Sequence, residues 1–147
     1  MLATYHVPPP LPPVVVLYDP SAIRVVIAPR PVLCLDRMTD AIRVVEDSGE
    51  RERGNANEWG FFQITPAVWK RHSRMVQWNA PESEQRRVAR AHVAYLAKRL
   101  EAAGIKATPY MIALAYGAGL SAAVGNSASP AKRDYANRAA NIYNDTI

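Results

Sequence analysis

Glu46 is the residue of this chain best placed to move a proton. It closes the apolar-periodic stretch Ala41-Ile42-Arg43-Val44-Val45, so it falls near the end of a helix, and beyond it the chain turns polar and rich in Gly and Asn. A carboxyl group between a core helix and a polar cleft wall is partly desolvated. Desolvation penalises the anion, raises the pKa and keeps the proton in place, as a general acid requires. The plain alternative is an exposed helix-terminal Glu. Two later segments set Glu46 apart from that alternative: Gly60-Phe61-Phe62-Gln63-Ile64-Thr65 and Ala113-Leu114-Ala115-Tyr116-Gly117-Ala118-Gly119. Gln63 carries an amide among Trp59, Phe61, Phe62 and Ile64, which is unusual company for a surface Gln. Gly60 permits a close backbone approach to a ligand or an unusual φ angle.

Other chemistries find less support. Asp47, Glu50, Glu52 and Glu58 follow Glu46 beside Arg51 and Arg53, a spacing that reads as surface charge pairing. Should one of them face Glu46, the site becomes a two-carboxylate one. His72 and His92 have no partner at ligand spacing and there is no Cys pair, so no metal is expected. Cys34 is expected to fill a core gap, since no His accompanies it in a cysteine-hydrolase signature. Gly117-Ala118-Gly119-Leu120 ends a helix instead of following a strand, which is the wrong setting for a phosphate loop. No cofactor is expected.

The elements that position Glu46 read as helices. Met38, Ile42 and Val45 recur at helical spacing after Asp36 and Thr39. Residues 49–59 read as a polar loop. Thr65-Pro66 is a cap followed by Pro at the first helical position, opening a short helix through Trp69 to about His72. Pro81-Glu82 opens the longest helix, with Ala89, Val93, Leu96 and Leu100 as one apolar stripe and Gly104 as its left-handed cap. Thr108-Pro109 repeats the start signal for a helix carrying Met111 to Tyr116, apolar nearly all round and therefore buried. Pro130 opens the last helix, to about Asn144. Trp69 and Trp78, as helix residues, are read as core or groove-lining.

Eight of the twelve prolines lie in the first 31 residues, Pro8-Pro9-Pro10-Leu11-Pro12-Pro13 among them. That stretch reads as extended or polyproline-like. The β-prone runs Val14–Leu17 and Ile23–Ile27 could form a small hairpin. Residues 1–34 are therefore assigned to a Pro-rich arm, extended or short β, and residues 35–147 to one all-helical domain.

In their order these motifs resemble the lysozyme-like superfamily, and within it the lytic transglycosylases related to goose-type lysozyme. The resemblance runs from Leu35 to Tyr143 and rests on Glu46-Asp47-Ser48-Gly49, Gly60-Phe61-Phe62-Gln63, Thr65-Pro66, Ala115-Tyr116-Gly117-Ala118-Gly119 and Asp134-Tyr135-Ala136-Asn137-Arg138. It implies a lysozyme-like helical domain that cleaves the β-1,4 bond between MurNAc and GlcNAc in peptidoglycan with Glu46 as the one catalytic carboxyl. Such enzymes leave anhydro-muramyl ends. Ser48, Gly60, Gln63, Tyr116 and Tyr135 are the implied substrate-binding residues, with Tyr135 reaching the catalytic carboxyl and Tyr116 lining the cleft. For both tyrosines, a core role with a satisfied hydroxyl is the competing reading. The chain departs from the family in two places. Asp47 stands between Glu46 and Ser48, where the family has Ser directly after Glu, and Gly117 stands where the family has Asn. The alternatives carried forward are a hydrolytic lysozyme on the same polymer and a non-catalytic wall-binding module on a degenerate lysozyme-like fold.

Composition is compatible with this. A chain of 147 residues, 49% hydrophobic, can bury a core without disulfides. Net charge is +5: residues 1–69 hold six Lys/Arg against eight Asp/Glu, and residues 70–147 hold twelve against five. A basic C-terminal part suits an anionic polymer, here peptidoglycan strands. Arg86, Arg87, Arg90, Lys98 and Arg99 also fit a solvated helix face. Nucleic acid is not the expected partner, because the basic helix lacks a recognisable turn-plus-recognition-helix pair. No stretch approaches a membrane span, no signal peptide is clear, and a monomer acting in the periplasm or at the cell wall is expected.

Overall fold

The computed structural model describes residues 14–19, 22–27, 32–46 and 57–146. The Pro8–Pro13 run and Ser48, with its neighbours Asp47 and Gly49, lie outside the described residues. The chain divides into two compact units, Met1–Val32 and Leu33–Ile147. In the first, β1 (Val14–Asp19) pairs antiparallel with β2 (Ala22–Ile27) in a register running from Val14 opposite Ile27 to Asp19 opposite Ala22.

The second unit is all-helical. Its elements are α1 (Leu35–Glu46), α2 (Pro66–His72), α3 (Glu82–Ala102), α4 (Pro109–Ala118), α5 (Leu120–Val124) and α6 (Pro130–Asp145), with a 3-10 turn at Gln77–Asn79. Three of these helices start the same way. Thr65, Thr108 and Ser129 each turn a hydroxyl onto a backbone N–H three residues on, and a Pro follows at the first helical position. The hydroxyl takes one of the otherwise orphaned donors of the first turn, and Pro has none to lose. α3 ends before Gly104, whose φ of +75° only glycine adopts cheaply.

α4 forms the centre. Ile112, Ala113, Leu114 and Ala115 are buried at four successive positions, so this helix is covered on every side, chiefly by α6. Its small residues let neighbours approach closely. Met38, Ala41 and Ile42 of α1, Val93, Leu96 and Leu100 of α3, and Ala136, Ala139 and Tyr143 of α6 complete this core. Each fully buried Leu or Ile side chain contributes about 2 kcal/mol. A smaller cluster of Phe62, Ile64, Trp69, Val88 and Ala89 packs α2 and the turn before it onto α3.

Three arginines of the basic helix are ion-paired. Arg86 pairs with Asp40, Arg90 with Asp36 (2.8 Å) and Arg87 with Glu84 (2.7 Å). The first two tie α3 to α1. Cys34 corrects an expectation. It is exposed just before α1 and its backbone N–H donates to the Tyr143 hydroxyl, so a residue one step outside the helix never reaches the core.

Candidate active site

Glu46 is the last residue of α1, half-buried, and its Oε1 accepts a hydrogen bond from the Tyr135 hydroxyl at 2.7 Å. These two residues are 89 apart in sequence. They meet because α1 and α6 pack against each other. The Glu46 carboxyl is pushed above its ordinary value, first by burial. The nearby Glu58 carboxylate acts in the same direction, while the Tyr135 hydrogen bond, Lys132 and Arg138 pull the other way. A helix C-terminus also disfavours an anion. The acid therefore holds its proton to higher pH than an exposed Glu while its oxygen stays oriented.

The cleft in front of Glu46 has a volume of about 290 Å³. Gln63, Tyr116 and Tyr135 line it, as do Glu58, His92 and Lys132. Glu58 was expected in surface charge pairing; instead it shares the cleft with Glu46. It immediately precedes Trp59, which exchanges backbone hydrogen bonds with Ile64 (both 3.1 Å), and that narrow ladder aims its neighbours. Lys132 carried no signal of its own, but it stands three residues before Tyr135 and so shares that face of α6.

The Trp59–Ile64 ladder closes on the turn Gly60–Gln63. Gly60 has φ +78° and Gln63 φ +44°, and the Gln63 N–H donates to the Gly60 carbonyl (3.1 Å). A left-handed Gln is uncommon and needs support. Part of that support is its own side chain, whose Nε2 also donates to the Gly60 carbonyl (2.8 Å). Gln63 therefore lines the cleft while only 6% exposed, with its amide donor committed to the turn. Gly60 is not among the cleft-lining residues. A Cβ there would stand 2.1 Å from Gln85 Oε1, the atom that accepts the Phe61 N–H (3.1 Å). Its freedom serves the turn and its anchorage to α3. Sequence reading missed Gln85, which also donates to the Ala80 carbonyl (3.0 Å).

Tyr116 donates to the Phe62 carbonyl (2.8 Å), fastening the same turn to α4. Burial, and then the Glu46 and Glu58 carboxylates, push its hydroxyl well above the ordinary tyrosine range, as they do for Tyr135. Both phenols remain protonated donors. Gly117 follows Tyr116, and the Tyr135 ring lies against it: a Cβ at 117 would meet Tyr135 Cδ1 at 2.8 Å and Cε1 at 2.9 Å. The Asn of the enzymes that the sequence resembles would have to displace that ring.

Replacing Tyr135 with Phe is expected to move the alkaline limb of any activity that draws on the Glu46 proton to higher pH, because the lost hydrogen bond was lowering the Glu46 pKa. Turnover should also fall by about tenfold as the carboxyl loses its orientation. A pH–rate profile of Y135F with an unmoved alkaline limb would refute the contact's role.

His72 and His92, twenty residues apart in sequence, lie near each other with ring centroids 5.6 Å apart and planes tilted by 59°, and His92 meets the Tyr116 ring edge-on at 5.5 Å. His92 is 7% exposed and its Nδ1 has no hydrogen-bond partner among the described residues. Burial, then His72 and Arg71, lower its pKa to about 4. The folded state thus binds this proton less readily than the unfolded chain. Its contribution to stability is present above the ordinary value of 6.5 and lost as pH falls from 6.5 towards about 4. The loss amounts to about 3 kcal/mol. Glu84, lowered to about 2, loses its contribution in a lower window. Urea titrations of wild type and H92Q at pH 7.5 and 4.5 test this. The variant should show the smaller difference, and equal differences would remove His92 as the cause.

Among the described residues no three His, Cys, Asp or Glu side chains converge as metal ligands, and no helix is long and apolar enough to cross a membrane. No protein-family model, curated protein or solved structure matches the chain.

Proposed function

We propose that this protein cleaves the glycan strands of peptidoglycan, with Glu46 as general acid and then base, in the manner of a lytic transglycosylase. One observation carries the reading: a half-buried carboxyl with a raised pKa, oriented by a tyrosine at 2.7 Å, at the wall of a cleft. Protonated Glu46 gives its proton to the bridging oxygen as the C1–O bond breaks, and charge develops at C1. The substrate's own N-acetyl group can share that charge. Glu46, now anionic, takes the proton of the C6 hydroxyl as its oxygen bonds to C1. The acid is regenerated and the product is a 1,6-anhydro-muramyl end. Tyr135 holds the carboxyl in line throughout. Action at the cell wall follows from this substrate.

Glu58 supports a second reading. A second carboxylate in the cleft could take a proton from water, which would then attack C1 and give a hydrolysed end, the outcome of a muramidase. Digestion of purified peptidoglycan followed by mass spectrometry separates the two, since an anhydro end is lighter than a hydrolysed one by one water. Release of neither product by wild-type protein would overturn both readings and leave a wall-binding module.

A further inference from the structure

A second concavity lies behind the catalytic cleft. Its volume is about 950 Å³, and Trp59, Trp69 and Trp78 contribute to its lining with Lys70, Arg74 and Val76. It shares no lining residue with the cleft. Neighbours in sequence part company between the two: Glu58, Thr65 and Val68 line the cleft, while Trp59, Pro66 and Trp69 line the groove. The segment from 57 to 69 is therefore a wall between them.

The groove is built and open. Trp69 is buried and its Nε1–H donates to the Met75 carbonyl (2.7 Å), which holds the strip after α2 in place. Gln77 Nε2 donates to the Ile64 carbonyl (2.6 Å) and fixes the start of the 3-10 turn that carries Trp78. Trp78 is nonetheless 70% exposed, with Met75 and Val76 about half exposed beside it. Apolar surface held rigidly in solvent marks a binding site more often than chance. The charge of the site is one-sided. Among the described residues, Lys70 and Arg74 line it, no carboxylate does, and neither cation forms an ion pair. An occupant must therefore offer flat apolar faces to indole rings and carboxylates to two cations.

The geometry points to a non-catalytic site for a carboxylate-bearing glycan strand, sugar faces stacking on Trp78 and Trp59 and acidic substituents pairing with Lys70 and Arg74. This rests on the reading of peptidoglycan as the substrate. It adds that the enzyme grips the insoluble polymer at a place other than the one where it cuts. An anchor of this kind raises the local concentration of strands at the cleft without altering the chemistry.

The test is co-sedimentation of the catalytically disabled E46Q protein with insoluble peptidoglycan and with uncharged insoluble chitin, alongside cleavage of short soluble glycan fragments by the otherwise wild-type enzyme. W78A in the E46Q background should bind peptidoglycan about fivefold more weakly. W78A in the active enzyme should cleave the soluble fragments at the wild-type kcat/KM. K70E/R74E should weaken binding to peptidoglycan, most at low salt, and leave retention on chitin unchanged. Because these side chains are exposed, folding is checked by circular dichroism against wild type. Unchanged sedimentation of W78A and K70E/R74E, with soluble cleavage intact, would overturn the groove proposal and leave the catalytic reading standing. Parallel loss of binding and of soluble cleavage would also overturn it, by making the groove part of the cleft. Failure of wild type both to cleave and to sediment would overturn both.

Discussion

Replacing Glu46 with Gln is expected to lower the proposed cleavage of peptidoglycan by about a thousandfold, within the range that general acid–base catalysis contributes. The substitution keeps the shape of the side chain and an oxygen that can still accept from Tyr135, so the cleft should persist. What it removes is the transferable proton. Stability should move in the opposite direction. Because the folded-state pKa of Glu46 lies above its ordinary 4.5, the folded protein binds that proton more tightly than the unfolded chain does. Its contribution is therefore present at low pH and lost as pH rises from 4.5 through the raised value. E46Q carries no such penalty, and above that window its thermal midpoint should equal or exceed that of wild type. An inactive but stable E46Q isolates chemistry from folding. Near wild-type release of muropeptides by E46Q would end the catalytic assignment.

The second large effect is expected at a residue with no functional group. Gly117→Asn introduces the side chain found at this position in the lytic transglycosylases that the sequence resembles, yet it should impair the proposed activity. The added Cβ would come within 2.9 Å of two atoms of the Tyr135 ring, closer than carbon atoms tolerate. Tyr135 is buried, and relief of the clash requires its ring to move away from Gly117 of α4. Overpacking of this kind costs about 1–3 kcal/mol. The simpler Gly117→Ala should do the same, although Ala is the better helix former by about 1 kcal/mol. Displacing the ring also draws the hydroxyl away from Glu46. G117A should therefore reproduce the alkaline shift of Y135F in the pH–rate profile, and the double variant should be scarcely worse than either single one. A stable, fully active G117N would show that the ring moves freely and that its contact with Glu46 is incidental.

Much of the helical architecture is legible in local chemistry. Thr65-Pro66, Thr108-Pro109 and Pro130 mark helix starts because capping and the fixed φ of Pro act within one turn. The stripe Ala89, Val93, Leu96 and Leu100 is buried as its spacing requires. The short α5 and the 3-10 turn at Gln77–Asn79 escape such a reading, since neither is long enough to show a period. Cys34 escapes it too, because exposure one residue before a helix depends on what packs there.

The site divides along the same line. Glu46 and Gln63 stand out by their neighbours in sequence, whereas Tyr116 and Tyr135 enter through the resemblance, with a core role as the competing reading. Ser48, in the same motif, stands outside the described residues. The partners that tune Glu46 are another matter. Glu58 turning into the cleft, Lys132 of α6 brought close to Glu46 of α1, Gln85 beneath Gly60, and the Tyr135 ring filling the space over Gly117 all join segments apart in the chain. Capping and periodicity are encoded over a few residues and can be read from them. Burial, the direction of a side chain and the electric field at a carboxyl depend on what α1, α3, α4 and α6 bring together. No local pattern records that, so the pKa of the acid belongs to the folded molecule.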